Sequence, residues 1–423
     1  MPDPTTDLLG FLEAVAAHGD VVAFDHGGRG RVLVNDGEAA ARFLRDSADD
    51  TREAPISSST AAVTGDGLLT SVQPRWQPRR LVLQRALSYR QVRQHADLLA
   101  SSTSSWLAGL VHGGLVDLAA RITELTLQNL GDVVFASDFR PLSALMSDVL
   151  TGVLHTAAAA NAGRSDPAVQ QRLLADVALL DAHLGDLIDA RWDAAAPGDD
   201  VLSLLVAAGR QEDDTFHRTW VRDEAVTLVV AGHDTTALLT TMALSLLSRH
   251  PDVHRVLRQE LRAARAAGVP DAQLPEQVPL VRLVLQEALR LYPPVPVLHR
   301  LATQDLQVGG YRIPSGQLLV FSAWVQHRDP RSFTAPLDFD PWRFSPERGA
   351  PGRAYLPFGA GRRICAGNHL ATLQAAIIVS LVTLLADVDC ADEEPALSCA
   401  VTLRLPAGLP ARLTPAAGPG SGS

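Results

Sequence analysis

The segment FGAGRRICAG, residues 358–367, places one of the chain's three cysteines among three glycines and two arginines. Gly361 and Gly367 permit tight turns and let the backbone approach a flat ligand closely. The helix expected just after Cys365 would direct the positive end of its dipole towards the sulfur, which favours the thiolate. A thiolate in this setting is a strong, electron-rich metal ligand. The sequence therefore predicts that Cys365 binds a metal centre.

Five residues of this segment, Phe358, Gly361, Arg363, Cys365 and Gly367, follow the pattern F-x-x-G-x-R-x-C-x-G. The pattern resembles the haem-binding signature of the cytochrome P450 family. A lone thiolate on haem iron donates electron density that favours O–O cleavage. The resemblance implies that the cofactor is haem b (iron protoporphyrin IX) and that Cys365 is the axial ligand of its iron. It also implies that Phe358, Gly361 and Arg363 lie against the haem.

The letters AGHDTT, residues 231–236, stand in the middle of a long apolar run that predicts one buried helix. Small Ala231 and Gly232 leave room for a ligand beside this helix, and they lie on the haem side by resemblance to the family's oxygen-binding helix. The Thr235 hydroxyl can bond back to its own helix and open a local groove. By the same resemblance, Asp234 and Thr235 would relay protons during oxygen activation. His233 is expected to be a packing or network residue.

The letters EALR place Glu287 and Arg290 three residues apart, which puts both charges on one helix face. A bidentate ion pair can form there. The spacing resembles the family's E-x-x-R motif, which an arginine from a later meander completes, and FDPWRF supplies Arg343. By resemblance, this triad is structural and holds the loop that carries the cysteine.

Trp76 and Arg80 stand in a W-x-x-x-R pattern, and Arg300 follows the double proline that ends the EALR helix. The planar guanidinium fork suits buried carboxylates. By resemblance, Arg80, Arg300 and Arg363 hold the haem propionates, with Trp76 beside them. Pro78 in the first turn after Trp76 is a departure from the pattern that affects the expected start of this helix.

The composition is that of a globular protein. Of 423 residues, 47% are hydrophobic and 20% charged, enough to bury a large core. The net charge of −10 argues against a general nucleic-acid surface. Three cysteines form neither a CxxC pair nor a disulfide framework, which favours a reducing, cytoplasmic protein. The longest apolar run, residues 225–247, carries a histidine and an aspartate near its middle, so we expect a buried helix and no membrane anchor.

The pattern along the chain predicts a mainly α protein with a small β subdomain. Residues 20–35 predict a β-hairpin, a second hairpin is expected near residue 400, and the text from 76 to 265 is helical. Helix stops are expected at Pro167, Pro197 and Pro251, and residues 368–388 predict a further buried helix. We expect a single domain over residues 1–415 and a flexible low-complexity tail over 416–423. By resemblance, this is the cytochrome P450 fold, with the haem between the oxygen-binding helix and the cysteine loop with its following helix.

Only 58 residues follow Cys365, too few for a flavin or iron–sulfur domain, so electrons are expected from a separate protein. The resemblance suggests a ferredoxin and a ferredoxin reductase that draw on NAD(P)H, with O2 as co-substrate and a monomeric enzyme. Arg75, Arg79 and Arg362 adjoin expected haem contacts. They either form a basic docking patch for an acidic partner or are scattered solvated arginines.

The substrate pocket is expected between residues 55–69, the oxygen-binding helix, the PVPVL segment and a hairpin tip near Val401. Val295, Val297 and Leu298 imply an apolar ligand body. Residues 57–60 could meet a polar end, or they are ordinary loop polarity. A medium-sized natural product, a fatty acid and a terpene all fit this description, and the sequence does not choose between them.

The leading hypothesis is a monooxygenase of secondary metabolism that hydroxylates an unactivated C–H bond. Ring closure, desaturation or oxidative coupling would use the same residues and stay open, as does the regiochemistry. A haem-thiolate sensor or carrier is the non-enzymatic alternative. It would need no proton relay, so the pair Asp234 and Thr235 favours an enzyme.

Overall fold

The computed structural model describes residues 2–4, 6–26, 28–46, 51–53, 58–161, 164–196, 198–348, 352–390 and 394–416. Three features predicted above lie wholly or partly outside these residues. They are the helix stop at Pro197, residues 55–57 at the start of the pocket segment 55–69 with its polar stretch 57–60, and all but the first residue of the expected tail.

Helices make up most of the described chain. The α-helices are α1 (Leu8–Ala16), α2 (Gly37–Asp46), α3 (Ser58–Thr64), α4 (Trp76–Ala86), α5 (Tyr89–Arg93), α6 (Ala96–Ala108), α7 (Leu118–Leu130), α8 (Ser143–Asn161), α9 (Pro167–Trp192), α10 (Val201–Gly209), α11 (Arg218–Gly232), α12 (Asp234–Arg249), α13 (Pro251–Ala266), α14 (Leu274–Gln277), α15 (Pro279–Leu291), α16 (Ala323–Gln326) and α17 (Asn368–Leu385). A π-helical turn covers Gly131–Phe135, and short 3₁₀ helices cover Arg140–Leu142, Asp271–Gln273, Pro341–Phe344, Pro346–Arg348 and Gly361–Arg363. Pro167 and Pro251 each take the first position of a new helix, where a missing N–H costs nothing.

The strands form small sheets at the edges of the helical body. They are β1 (Val21–His26), β2 (Arg29–Val34), β3 (Thr51–Glu53), β4 (Leu115–Asp117), β5 (Val297–Ala302), β6 (Leu306–Val308), β7 (Tyr311–Ile313), β8 (Leu318–Ser322), β9 (Ala386–Cys390), β10 (Ser398–Cys399), β11 (Leu403–Arg404) and β12 (Pro410–Pro415). Their orders are β1-β2-β8-β5-β3, β4-β12-β9, β6-β7 and β10-β11. The hairpins predicted over 20–35 and near 400 are confirmed as β1–β2 and β10–β11.

Two sequence predictions about element boundaries were wrong for the same reason. Strand β4 lies inside text predicted to be helical, and the helix predicted over 368–388 ends at Leu385, where β9 begins. Both strands pair with β12. Tertiary pairing with a distant strand therefore overrides the local helical pattern.

The core is built around α17, whose residues Ile377, Ile378, Val379 and Leu381 are fully buried. It packs against α6, α12, α13 and α15. Of the residues that the structure describes, α17 is the helix that is long and apolar enough to span a membrane, and 72% of it is buried in the fold. Its hydrophobicity serves the core of the protein.

The long buried helix predicted through residues 225–247 is divided at His233, next to the Thr235 position where a local groove was expected. Helix α11 ends at Gly232 and α12 begins at Asp234. The Thr235 and Thr236 hydroxyls donate to the Ala231 and Gly232 carbonyls at 3.0 and 3.1 Å. Such side-chain bonds compete with the backbone ladder and bend helices, which explains the interruption.

A buried ion-pair network lies beside the segment that leads into the cysteine loop. Glu287 and Arg290 in α15 are fully buried, and the carboxylate accepts from Arg290 Nε at 2.7 Å and from Arg343 Nε at 2.9 Å. Arg290 Nη1 donates to the His327 carbonyl at 2.8 Å, and His327 Nε2 accepts from Leu356 N at 2.9 Å. Burial lowers the pKa of His327 to about 3, which keeps this ring neutral and able to accept. The network thus runs from α15 to the residues just before Phe358.

Replacing Glu287 by Gln should strongly destabilise the fold. The change leaves the Arg290 guanidinium buried without its counter-charge, and breaking a buried pair in this way costs about 3–5 kcal/mol. Urea unfolding of wild type and variant measures the loss. Asp305→Asn is the control, since the Asp305–Arg312 pair at 2.6 Å is exposed and its loss should leave the unfolding midpoint nearly unchanged. Equal midpoints for Glu287→Gln and wild type would contradict a structural role for Glu287.

Candidate active site

The cysteine loop is a tight turn between two left-handed glycines and the start of α17. Gly359 and Gly361 have φ of +72° and +73°, and Cys365 N donates to the Phe358 carbonyl at 3.0 Å. A Cβ on Gly361 would lie 2.1 Å from the Leu44 carbonyl oxygen of α2. Gly361 therefore makes the predicted tight turn and packs the loop closely on α2, and its approach to a ligand stays a prediction.

The Cys365 side chain has solvent-accessible surface although protein surrounds it on most sides. Burial is the largest influence and raises the pKa of the thiol. The backbone N–H groups of Gly367 and Asn368 and the charge of Arg80 act in the opposite direction. The expected effect of the α17 terminus is thus present, but burial outweighs it, and a positive partner at the sulfur is needed to favour the thiolate.

Arg80 is the cation beside this thiol. Its residue is 6% exposed, and its Nε has no hydrogen-bond partner among the described residues. Burial lowers the pKa of the guanidinium, and the nearby Cys365 raises it. A buried guanidinium without a carboxylate is costly, so the site fits an anionic ligand group. Trp76 Nε1, one turn earlier in α4, is also buried and without a partner in the described chain.

These two donors fit the carboxylates of haem. Arg363 adjoins them, because its guanidinium stacks on the Trp76 ring at 4.0 Å and Nη2 donates to the Ser71 carbonyl at 3.1 Å. Arg300 lies on β5 and donates to the His299 carbonyl at 2.9 Å. Helix α4 begins at Trp76 despite Pro78, since first-turn N–H groups need no helical partner. Direct haem contacts of these residues stay predictions.

A clamp that was not predicted from the sequence holds residues 65–71 against α11. Asp66 N donates to Asp223 Oδ2 at 2.8 Å, and Leu68 N donates to Glu224 Oε2 at 2.9 Å. A Cβ on Gly67 would lie 2.2 Å from Thr227 Oγ1. Burial raises the pKa of Glu224 to about 7. The adjacent acids inside an apolar helix were the sequence signal for this contact.

The prediction of a basic docking patch at Arg75, Arg79 and Arg362 was wrong for Arg79. Arg79 is fully buried and donates to Asp66 Oδ2 at 2.9 Å, so it is part of the clamp and no partner can reach it. Arg75 is about half exposed and lies 3.4 Å from the same carboxylate. Arg362 is exposed.

The break between α11 and α12 lies at the residues where the sequence predicts an oxygen-binding groove. Ala231 is exposed although its helix is largely buried, and Thr235 Oγ1 bonds to its carbonyl. A Cβ on Gly232 would lie 3.0 Å from Leu130 Cδ1 of α7. The small size of Gly232 therefore serves helix packing, whereas Ala231 is exposed, and ligand binding beside it stays a prediction. His233 is 1% exposed, and its Nδ1 donates to the Val229 carbonyl at 2.8 Å, as fits a packing residue.

The predicted pocket residues lie on two neighbouring segments. Val295 just before β5 and Val297 and Leu298 at its start are half-buried, and Val401 is 47% exposed at the tip of the β10–β11 hairpin. Leu403 N donates to the Pro294 carbonyl at 2.9 Å and joins the two segments. The side chains of residues 57–60 fall outside the described part of the chain.

The comparisons with known proteins agree with this geometry. The family model "Cytochrome P450" matches residues 11–386. The chain is 29% identical over 395 residues to cyclooctatin synthase of Streptomyces melanosporofaciens, covering 88% of this chain and 84% of that protein. It is 26% identical to cytochrome P450 714A2 of Arabidopsis thaliana, covering 76% of this chain and 67% of that protein.

A solved structure shows the fold. The cytochrome P450DA haem domain superposes with a TM-score of 0.86 at 24% identity, covering 99% of this chain and 94% of that chain. The helix-rich body with small sheets is therefore the P450 fold. Together with the family match over most of the sequence, these findings show that the chain belongs to the cytochrome P450 family, whose members bind haem b through a cysteine thiolate and act as monooxygenases.

Proposed function

We propose that this monooxygenase uses Cys365 as its axial haem ligand and hydroxylates a medium-sized, largely apolar small molecule of secondary metabolism. The observation that carries the proposal is the accessible Cys365 thiol beside the buried guanidinium of Arg80, whose Nε has no hydrogen-bond partner among the described residues. A ligand that supplies both a metal for the sulfur and carboxylates for the arginine satisfies both residues at once. Haem b is such a ligand.

The bound haem supplies oxygen activation, and the residues of the chain supply positioning and protons. The Cys365 thiolate is held by the N–H groups of Gly367 and Asn368. Arg80 and Trp76 would hold the haem carboxylates, with Arg300 and Arg363 as further candidates. Thr235, whose hydroxyl is anchored on the Ala231 carbonyl, and Asp234 deliver protons at the oxygen groove.

The substrate class is proposed from the pocket and from one relative. Val295, Val297, Leu298 and Val401 are apolar and lie on joined segments, so a largely apolar molecule suits them. Cyclooctatin synthase, which the chain matches over 84% of its length, is named for a biosynthetic product, and this supports a role in secondary metabolism.

Electrons are proposed to come from a ferredoxin and its NAD(P)H-dependent reductase. Arg75 and Arg362 are exposed and can attract an acidic partner, with Arg79 excluded by its burial. We further propose that the enzyme is monomeric and cytoplasmic, in keeping with three cysteines that form no disulfide.

Turnover in ¹⁸O2 tests the proposed reaction. The enzyme, reconstituted with a ferredoxin, its reductase and NADPH, is offered a panel of terpenes and fatty acids. We expect at least one product that carries a single ¹⁸O atom. An unlabelled product two mass units below its substrate would instead indicate desaturation or ring closure. NADPH consumption without any change in the panel would contradict the proposed substrate class.

Replacing Arg80 by Leu should weaken haem binding. A hydrogen bond to a charged group contributes roughly 1.5–3 kcal/mol, so haem transfer to excess apomyoglobin should become about tenfold faster or more. The control is Arg85→Leu in the last turn of the same helix, where the side chain is exposed. Equal transfer rates for Arg80→Leu and Arg85→Leu would contradict the assignment of Arg80 to the haem carboxylates.

A further inference from the structure

An ion pair joins the break between α11 and α12 to the β10–β11 hairpin. Arg404 Nη2 on β11 lies 3.2 Å from Asp234 Oδ2, the first residue of α12, across 170 residues of sequence. The two side chains are 26% and 21% exposed, so the pair is largely withdrawn from water. Such a pair holds its partners more firmly than a solvated surface pair does.

The other groups around Asp234 carry less positive charge than Arg404. The N-terminus of α12 contributes a partial positive charge, whereas Arg404 contributes a full one. The neighbouring His233 ring is already bonded to the Val229 carbonyl, and burial lowers its pKa, so it stays neutral. Among the groups described here, Arg404 is therefore the one that places a full positive charge next to the Asp234 carboxylate.

The guanidinium is itself fixed by the hairpin that carries it. Leu403, its neighbour, is 2% exposed and donates to the Pro294 carbonyl at 2.9 Å. Arg404 Nε is buried without a hydrogen-bond partner in the described chain, and Arg404 Nη2 anchors the side chain by its bond to the Asp234 carboxylate. The same hairpin ends at Val401 in the proposed pocket. The position of the hairpin and the position of the Asp234 carboxylate are thus tied together.

We propose that Arg404 is a positioning residue that holds the Asp234 carboxylate for proton delivery at Thr235. This inference rests on the proposed function. In coupled turnover, NADPH, one proton, O2 and substrate give NADP⁺, hydroxylated product and water. When a proton arrives late, NADPH, one proton and O2 give NADP⁺ and hydrogen peroxide. A carboxylate freed from Arg404 samples other rotamers and delivers its proton later, so more electrons leave as peroxide.

The test is a double-mutant cycle read as peroxide released per NADPH oxidised, with dodecanoic acid as the probe. Arg404→Ala and Asp234→Asn should each raise this ratio about threefold. The double variant should release no more peroxide than Asp234→Asn alone, because residues that act as one unit are not additive. Arg404→Lys should restore part of the loss, since it keeps the charge. A purely structural role for Arg404 predicts neither the missing additivity nor this rescue.

The control is Arg412→Ala on β12, which removes an exposed arginine that donates to the Gly113 carbonyl at 3.1 Å. It should keep the wild-type ratio. Wild-type behaviour of Arg404→Ala beside a raised ratio for Asp234→Asn would overturn this inference and leave the proton relay intact. Additive effects in the double variant would also overturn it. A wild-type ratio for Asp234→Asn would remove the relay from the proposed function, and the inference with it.

Discussion

The buried charge of Arg80 beside the Cys365 sulfur is the constraint on which the site depends. Burial opposes the thiolate at one residue and the guanidinium at the other, so each charge needs the other or a bound ligand. In the proposed function haem would meet both needs, because its iron would bind the sulfur and its carboxylates would pair with the guanidinium. Haem binding would therefore remove the free-energy cost of two buried charges. The contacts that hold α4 and the cysteine loop in place would then also affect the affinity for haem.

Arginine does most of that holding, and in this lysine-free chain it serves two separate purposes. Arg79, Arg290 and Arg363 donate to carbonyls and carboxylates and fasten the clamp, the loop before Phe358 and the turn at Ser71. Arg80 Nε has no such partner among the described residues, which is why we propose this side chain as a ligand contact. The planar fork of arginine makes the first use possible, because several donors can reach separate backbone carbonyls at once.

Features whose residues lie close together in sequence could be predicted, whereas contacts between distant segments could not. The cysteine loop, the E-x-x-R pair and both hairpins have their residues close together in sequence, so spacing alone points to them. The burial of Arg79, the packing of Gly232 on Leu130 and the Asp234–Arg404 pair join distant segments, and no local pattern reports them. The break at His233 was predictable in part. Consecutive threonines signalled competition for helix carbonyls, but whether the helix bends or breaks depends on contacts such as that of Thr126 with the His233 carbonyl.

The central claim is that Cys365 provides a thiolate to haem iron. The most direct measurement is the carbon monoxide difference spectrum of the dithionite-reduced protein and of its Cys365→His variant. The account predicts the strongly red-shifted Soret band of thiolate-ligated haem for the wild type and its loss in the variant. A wild-type band at the position of imidazole-ligated haem, or a red-shifted band that survives in Cys365→His, would contradict it.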